Sequence, residues 1–242
     1  MRVALVTGAT SGIGRAAAVA LAADGWWVAA HGRDEARGRE VADELGDRGA
    51  FFPAELDASE RLVDAVVEAR GRLDLLVNNA AVYARDTVAD LRAEDLDRLL
   101  AVNVRAAVLL AGAAVRAMGE RGGVVVSVAS EAGLVAVPGQ VAYNVTKAAL
   151  IMLSRSIAVD HAAAGIRAVS VCPGTTRTPL VDAAIAAADD PAAHERTLEQ
   201  SRPLGRLGTP EEIAAAIVFA ASPEAGFMTG SELVIDGGYT AA

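Results

Sequence analysis

The sequence predicts an α/β protein: one doubly wound, mainly parallel sheet of about seven strands, with helices on both faces. Three observations carry this. Apolar runs with strand character recur seven times, amphipathic stretches of helical period separate them, and a glycine-rich turn joins the first strand to the first helix. Strands alternating with helices at this spacing form βαβ units, and the crossover helices cover both sheet faces. The alternation never lapses and no Pro/Ser-rich linker divides it, so a single domain over 1–242 is expected.

Taken in order, the first strand is the apolar run 2–7, which passes directly into Thr7-Gly8-Ala9-Thr10-Ser11-Gly12-Ile13-Gly14 and a helix over 12–24. A second strand at 26–31 leads to a helix over 34–47, for which Asp34 is a candidate N-cap. Strand 49–53 is followed by helix 59–71, and strand 73–78 by a long helix over 93–118. Strand 122–128 precedes helix 141–163, and strand 166–172 precedes an irregular insertion at about 174–205. Its Pro179, Asp189-Asp190-Pro191 and Pro203 predict a lid or binding loop rather than a plain connection. Helix 209–221 and strand 232–235 complete the pattern.

Composition excludes several classes. At 53% hydrophobic residues and mean hydropathy +0.33, the chain can bury a sizeable core and is not disordered. Its apolar stretches are broken by Gly, Asp or Arg before about 18 residues, so no membrane-spanning helix is expected. A net charge of −9 argues against nucleic acid or an anionic membrane as partner. One cysteine, Cys172, excludes an internal disulfide, and the first strand starts without a leader pattern; both predict a cytoplasmic setting. Cys172, in an apolar run, reads as a buried small hydrophobe.

One residue breaks the composition. Of 22 Lys+Arg residues a single one is lysine, Lys147, four residues after Tyr143. Side chains four apart share a helix face. An ammonium is compact and donates in three directions, unlike a planar guanidinium. A cation beside a phenol favours phenolate, which would bring the tyrosine pKa down toward working pH and makes Tyr143 a candidate general acid/base. The competing reading is a surface lysine on a helix.

The glycine loop suits a pyrophosphate. Glycines let the backbone turn sharply and approach the anion, which then sits on the helix N-terminus. The spacing is G-x-x-x-G-x-G from Gly8 through Gly12 to Gly14.

Together with Asp57, Asn78-Asn79-Ala80, Asn103, Ser130, Pro173-Gly174 and Ile235-Asp236-Gly237-Gly238, these motifs make the chain resemble a short-chain dehydrogenase/reductase over nearly its whole length. The resemblance implies a Rossmann-type fold, an NAD or NADP cofactor, and a homotetramer. It implies a catalytic set of Asn103, Ser130, Tyr143 and Lys147. In that set Ser130 bonds the substrate oxygen, Lys147 holds the nicotinamide ribose, and Asn103 supports a water linked to the lysine. Ser127 is the rival to Ser130. The implied cofactor residues are Gly8, Thr10, Ser11, Gly12, Ile13, Gly14, Asp57 (adenine), Asn79, Ala80, Tyr143, Lys147, Pro173, Gly174 and Thr178 (carboxamide). Asp57 has a competing reading as a helix cap. Ala81 stands where the family usually has a glycine.

Cofactor choice turns on the end of the second strand. An acidic residue there would bond the ribose 2′-OH of NAD, but Gly32 fills that slot and Arg33 follows. A guanidinium pairs with a 2′-phosphate, so NADP is favoured, with NAD as second choice. The alternative is that Arg33 merely lies at a solvated edge. The expected activity interconverts a secondary alcohol and a ketone. Reduction of a 3-oxoacyl thioester is an alternative, as is a non-catalytic dinucleotide-binding sensor or scaffold. Arg177, Glu131 and Arg85 are candidates for the pocket rim, and His31, His161 and His194 are too scattered to suggest a metal.

Overall fold

The computed structural model describes residues 1–56 and 59–241. The strands are β1 (Val3–Val6), β2 (Trp27–Gly32), β3 (Gly49–Pro53), β4 (Leu75–Asn78), β5 (Gly123–Val128), β6 (Ile166–Pro173) and β7 (Glu232–Ile235). They form one parallel sheet in the order β3-β2-β1-β4-β5-β6-β7. The order reverses between β1 and β4, and ligands of open α/β sheets bind outside the carboxyl ends of the strands at such a point.

Side-chain alternation explains why both sheet faces are covered. Ala4 and Val6 of β1 face one way, into a core built with α1 (Gly12–Ala23), α2 (Glu35–Leu45) and α9 (Pro210–Ala221). Val3 and Leu5 face the other way, toward α3 (Ser59–Arg70), α5 (Ala106–Met118) and α6 (Val141–His161). Leu75 and Leu76 repeat the split on β4. Alanines along α1, α5 and α9 let these helices lie close to the sheet.

Two sequence expectations need correction. The long helix expected over 93–118 is three pieces: α4 (Ala93–Leu99), a π-helical stretch Leu100–Arg105, and α5. The wider π turn sits at buried Asn103, whose side-chain amide bonds away from its own helix, to Val82 and Thr146. By length and composition the run Ala93–Arg121 could cross a membrane. Leu99, Ala106, Leu110, Ala114 and Met118 within it are buried in the fold.

The insertion at 174–205 is not irregular either. It holds α7 (Pro179–Ala186) and α8 (Pro191–Gln200), each with proline in its first turn and a capping side chain before it. Thr178 accepts from the Val181 N–H, and Asp190 from the Ala193 N–H. Prolines read as breakers are here the helix starts, because an N1 proline lacks only an N–H that would be unpaired anyway.

Candidate active site

The site residues gather at the carboxyl ends of β1, β4, β5 and β6. Thr7 and Asn79 lace the first two loops together. The Thr7 hydroxyl accepts from the N–H groups of Asn79 and Ala80, both at 3.0 Å, and the Asn79 amide donates to the carbonyls of Thr7 (2.8 Å) and Gly8 (3.3 Å). The Asn79 side chain is therefore occupied in holding the glycine loop. Thr7 opens the glycine-loop motif in the sequence, but its role in tying the loop to the end of β4 is not marked there.

Close backbone approach explains the loop's glycines. A Cβ on Gly14 would stand 2.2 Å from the Gly8 carbonyl oxygen, and Gly12 has φ +52° with the Thr178 methyl 3.1 Å from where its Cβ would be. Thr178, at the start of the lid, thus rests on the glycine loop beside Ser11 and Ile13. Ser11 is the N-cap of α1 but makes no side-chain cap bond, and the first turn carries no acidic residue. First-turn N–H groups without a side-chain partner fit an anion such as a pyrophosphate.

At the end of β2, a Cβ on Gly32 would meet the Thr10 methyl at 2.4 Å, so Thr10 occupies the space a side chain at position 32 would need. Asp34 caps α2 and also accepts from Arg37 Nε at 2.6 Å. Arg33 is 69% exposed and has one distant ion pair, with Glu55 at 3.8 Å. Asp57, read from sequence as an adenine contact or a helix cap, lies outside the described residues.

After β5, the two candidate serines separate. Ser127 is fully buried and accepts from the Ser154 hydroxyl at 3.1 Å, which makes it a core residue. Ser130 sits at the sheet edge, N-caps the turn Glu131–Gly133, and accepts from the Ala132 N–H at 3.1 Å. A Cβ on Gly133 would come within 2.8 Å of the Lys147 carbonyl oxygen, so this turn lies directly on α6.

α6 carries Tyr143 and Lys147. Its first turn is held by Asp86, which sequence reasoning missed. The Asp86 carboxylate accepts from the Ala142 N–H at 3.0 Å, and its carbonyl accepts from the Val141 N–H. Tyr83 packs edge-on against Tyr143 with ring centroids 5.2 Å apart and donates to Gln140 Oε1 at 3.1 Å. Arg85, two residues on, is exposed.

Lys147 is buried and donates to the Val128 carbonyl at 2.8 Å, with Nζ 5.4 Å from the Tyr143 ring centre. Burial lowers its pKa to about 8. Tyr143 departs from expectation: its pKa is raised, first by burial and then by Tyr83, while the Ser130 side chain, as a hydrogen-bond partner, acts in the opposite direction. The expected lowering by Lys147 is absent because the ammonium points to the β5 carbonyl and is itself desolvated.

Asn103 braces α6 from behind. Its carboxamide accepts from the Val82 N–H (2.8 Å) and donates to the Val82 carbonyl (2.9 Å) and the Thr146 hydroxyl (3.2 Å). Thr146 in turn donates to the Tyr143 carbonyl at 2.9 Å. A polar residue inside a helix is thereby fully used.

At the end of β6, Pro173 is buried and Gly174 allows close approach: a Cβ there would stand 2.7 Å from Asp236 Cα and 2.8 Å from Glu131 Oε2. Glu131 pairs with buried Arg202 at 2.7 Å. Burial raises the Glu131 pKa to about 7; Arg202 opposes this and Asp236 adds to it. Arg177, a candidate for the pocket rim, pairs with Asp182 and Glu195 within the lid. Cys172 is buried, and burial pushes its thiol up to about 12. Among the described residues no group of three or more His, Cys, Asp or Glu side chains is placed to hold a metal.

A parallel sheet of this order, with a glycine loop after its first strand and a Ser–Tyr–Lys cluster at its edge, defines a dinucleotide-binding oxidoreductase class. A protein-family model described as enoyl-(acyl carrier protein) reductase matches residues 8–240. An uncharacterized oxidoreductase of Thermotoga maritima is 44% identical, over 99% of this chain and 98% of its own. A 3beta-hydroxysteroid dehydrogenase of Mediterraneibacter gnavus is 36% identical, over 99% and 95%. A cyclopentanol dehydrogenase of Comamonas is also 36% identical, over 99% and 97%. A solved short chain dehydrogenase/reductase family protein superposes with a TM-score of 0.90 at 38% identity, covering 100% of this chain and 98% of that one. The chain belongs to the short-chain dehydrogenase/reductase family.

Proposed function

We propose that the protein is an NADP-preferring dehydrogenase/reductase that interconverts a secondary alcohol and a ketone, with Tyr143 as general acid/base. The carrying observation is the convergence of Tyr143, Ser130 and buried Lys147 at one sheet edge, with Asn103 tied to α6 behind them. Relatives named as hydroxysteroid and cyclopentanol dehydrogenases support the substrate class.

When bound, a nicotinamide dinucleotide supplies or accepts the hydride. The Gly8–Gly14 loop with Thr10, Ser11, Gly12 and Ile13, the backbone at Asn79 and Ala80, Pro173, Gly174 and Thr178 would hold it; Arg33 would take a 2′-phosphate. Committed bonding of Asp34 and the filled slot beside Gly32 support NADP over NAD. Ser130 orients the substrate oxygen. Tyr143 gives it a proton in reduction and removes one in oxidation, and Lys147 would hold the nicotinamide ribose hydroxyls beside it. Burial holds the phenol protonated, the form that donates in reduction.

The description of the matching family model names an acyl carrier protein, which keeps acyl thioesters, the 3-oxoacyl ones included, among the substrates to test, although the enoyl reduction it names acts on a C=C bond. A net charge of −9 disfavours docking of an acidic carrier protein. A homo-oligomer is also proposed, because Val145, Met152 and Val159 form an exposed apolar stripe at seven-residue spacing on α6.

The test is a screen of alcohols, ketones and thioesters with both nucleotides, followed by Tyr143→Phe on the best substrate. Nucleotide binding should persist while turnover falls by about 10²–10⁴-fold. Unchanged turnover would sink the mechanism, and no turnover of any substrate would favour a sensor or scaffold.

A further inference from the structure

We propose that the Glu131–Arg202 pair is the joint through which the lid sets the position of the Ser130 turn, with Arg202 a positioning residue for the reaction. This rests on the active-site reading above.

Among the described residues it is the one ion pair whose two side chains are both under one-tenth exposed, at 3% for Arg202 and 7% for Glu131. Arg177, also in the lid, pairs at the surface with Asp182 and Glu195, and Arg206, just past the lid, pairs at the surface with Glu212. Arg202 instead reaches across the fold. It donates to Glu131 Oε1 (2.7 Å) and Thr175 Oγ1 (2.5 Å), and back into the end of α8 at the Leu198 carbonyl (2.6 Å) and the Ser201 hydroxyl (2.7 Å). Its guanidinium also stands 5.1 Å from the centre of the Tyr239 ring. One side chain therefore ties together the last turn of α8, the end of β6, the C-terminal segment and the turn after β5.

What it holds at each end matters. α8 has no buried residue of its own, so packing does little to place it. Backbone bonds fix the base of the lid, at Gly208 N–H to Thr175 and Leu204 N–H to Gly237, but not α8 itself. At the other end Glu131 follows Ser130 in a tight turn, closed by Gly133 N–H to the Ser130 carbonyl at 3.0 Å. That turn lies on the Lys147 backbone. A shift of Glu131 moves Ser130 relative to Tyr143 and Lys147. A buried pair is a weak source of stability but a strong geometric restraint, because separating its members leaves a charge unpaired.

The contact is single rather than bidentate, since Glu131 Oε2 and Arg202 Nε have no partner. It can therefore be weakened stepwise. The experiment measures kcat, KM, nucleotide Kd and melting temperature for Arg202→Met, Arg202→Lys, Glu131→Gln and the double variant Glu131→Gln/Arg202→Met in the full chain. Arg202→Met should lower kcat about ten- to a hundredfold, a misplacement effect, with nucleotide Kd within about twofold. Arg202→Lys, which keeps a cation facing Glu131, should recover most of that loss. The double variant should be no worse than Arg202→Met alone.

Unchanged kcat in Arg202→Met overturns the proposal. So does a loss that follows the unfolded fraction alone, or one that Arg202→Lys does not relieve. If Arg202→Met fails to fold, Glu131→Gln decides: a several-fold drop in kcat at unchanged melting temperature supports the joint, and full activity refutes it. Should the wild-type protein reduce none of the screened substrates, the active-site reading fails separately. Tryptic cleavage after Arg196 on α8 then tests the joint alone, with faster cutting in Glu131→Gln expected and equal cutting overturning it.

Discussion

At the scale of the residue, Lys147 ties sequence to chemistry most directly. Its uniqueness is legible in the chain, and so is the spacing to Tyr143. The environment is not, because desolvation depends on what the tertiary fold places around an amine. Its pKa is lowered from 10.5 to about 8, so between these values the unfolded chain binds more protons than the folded one. Stability contributed at this position is therefore present at high pH and lost as pH falls toward 8. Compared with Lys147→Met, the wild-type protein should gain on the order of 2 kcal/mol between pH 8 and 10.5. Denaturant unfolding across that range checks it. Arg33 supplies a second residue-scale outcome. Exposed and loosely paired, Arg33→Ala should raise the Kd for NADP about tenfold while leaving NAD within about twofold; equal change in both would leave Arg33 a solvated edge residue.

At the scale of the element, the helix that carries the tyrosine and lysine does not cap itself. Gln140, its N-cap residue, makes no side-chain cap bond; Asp86 from the loop after β4 substitutes for it. Asp86→Ala should cost about 1 kcal/mol or somewhat more, and Asp86→Asn, which keeps an acceptor oxygen, should cost less. For a chain of this size the first corresponds to a melting-temperature drop of roughly 2–4 °C. The same contact shows where sequence reading stops. Helices and strands were legible because periodicity is local, and the Ser130–Tyr143–Lys147 cluster because it follows a spaced motif. Asp86 and Arg202 act on partners tens of residues away with no spacing rule, so nothing local marks them. The lid helices α7 and α8 were obscured for a different reason. Thr178-Pro179 and Asp190-Pro191 are start signals, but prolines in a polar stretch also spell a loop.

At the scale of the whole molecule, the sheet buries both faces, and the outer surface of α6 carries an exposed apolar stripe. Val145, Met152 and Val159 on α6, the last 81% exposed, form it, with Val108 on α5 exposed as well. Val159→Glu should shift the protein to a smaller species by size-exclusion chromatography with light scattering, and an unchanged mass would exclude this face as the interface. The core has a further consequence for handling the protein. A lysine-specific protease has one bond to cut, after Lys147, and that bond lies in the middle of a helix whose side chain at that point is buried. Cleavage into two fragments thus becomes a single-site clock for opening of the active centre, and any ligand that binds the closed form should slow it in proportion to its affinity.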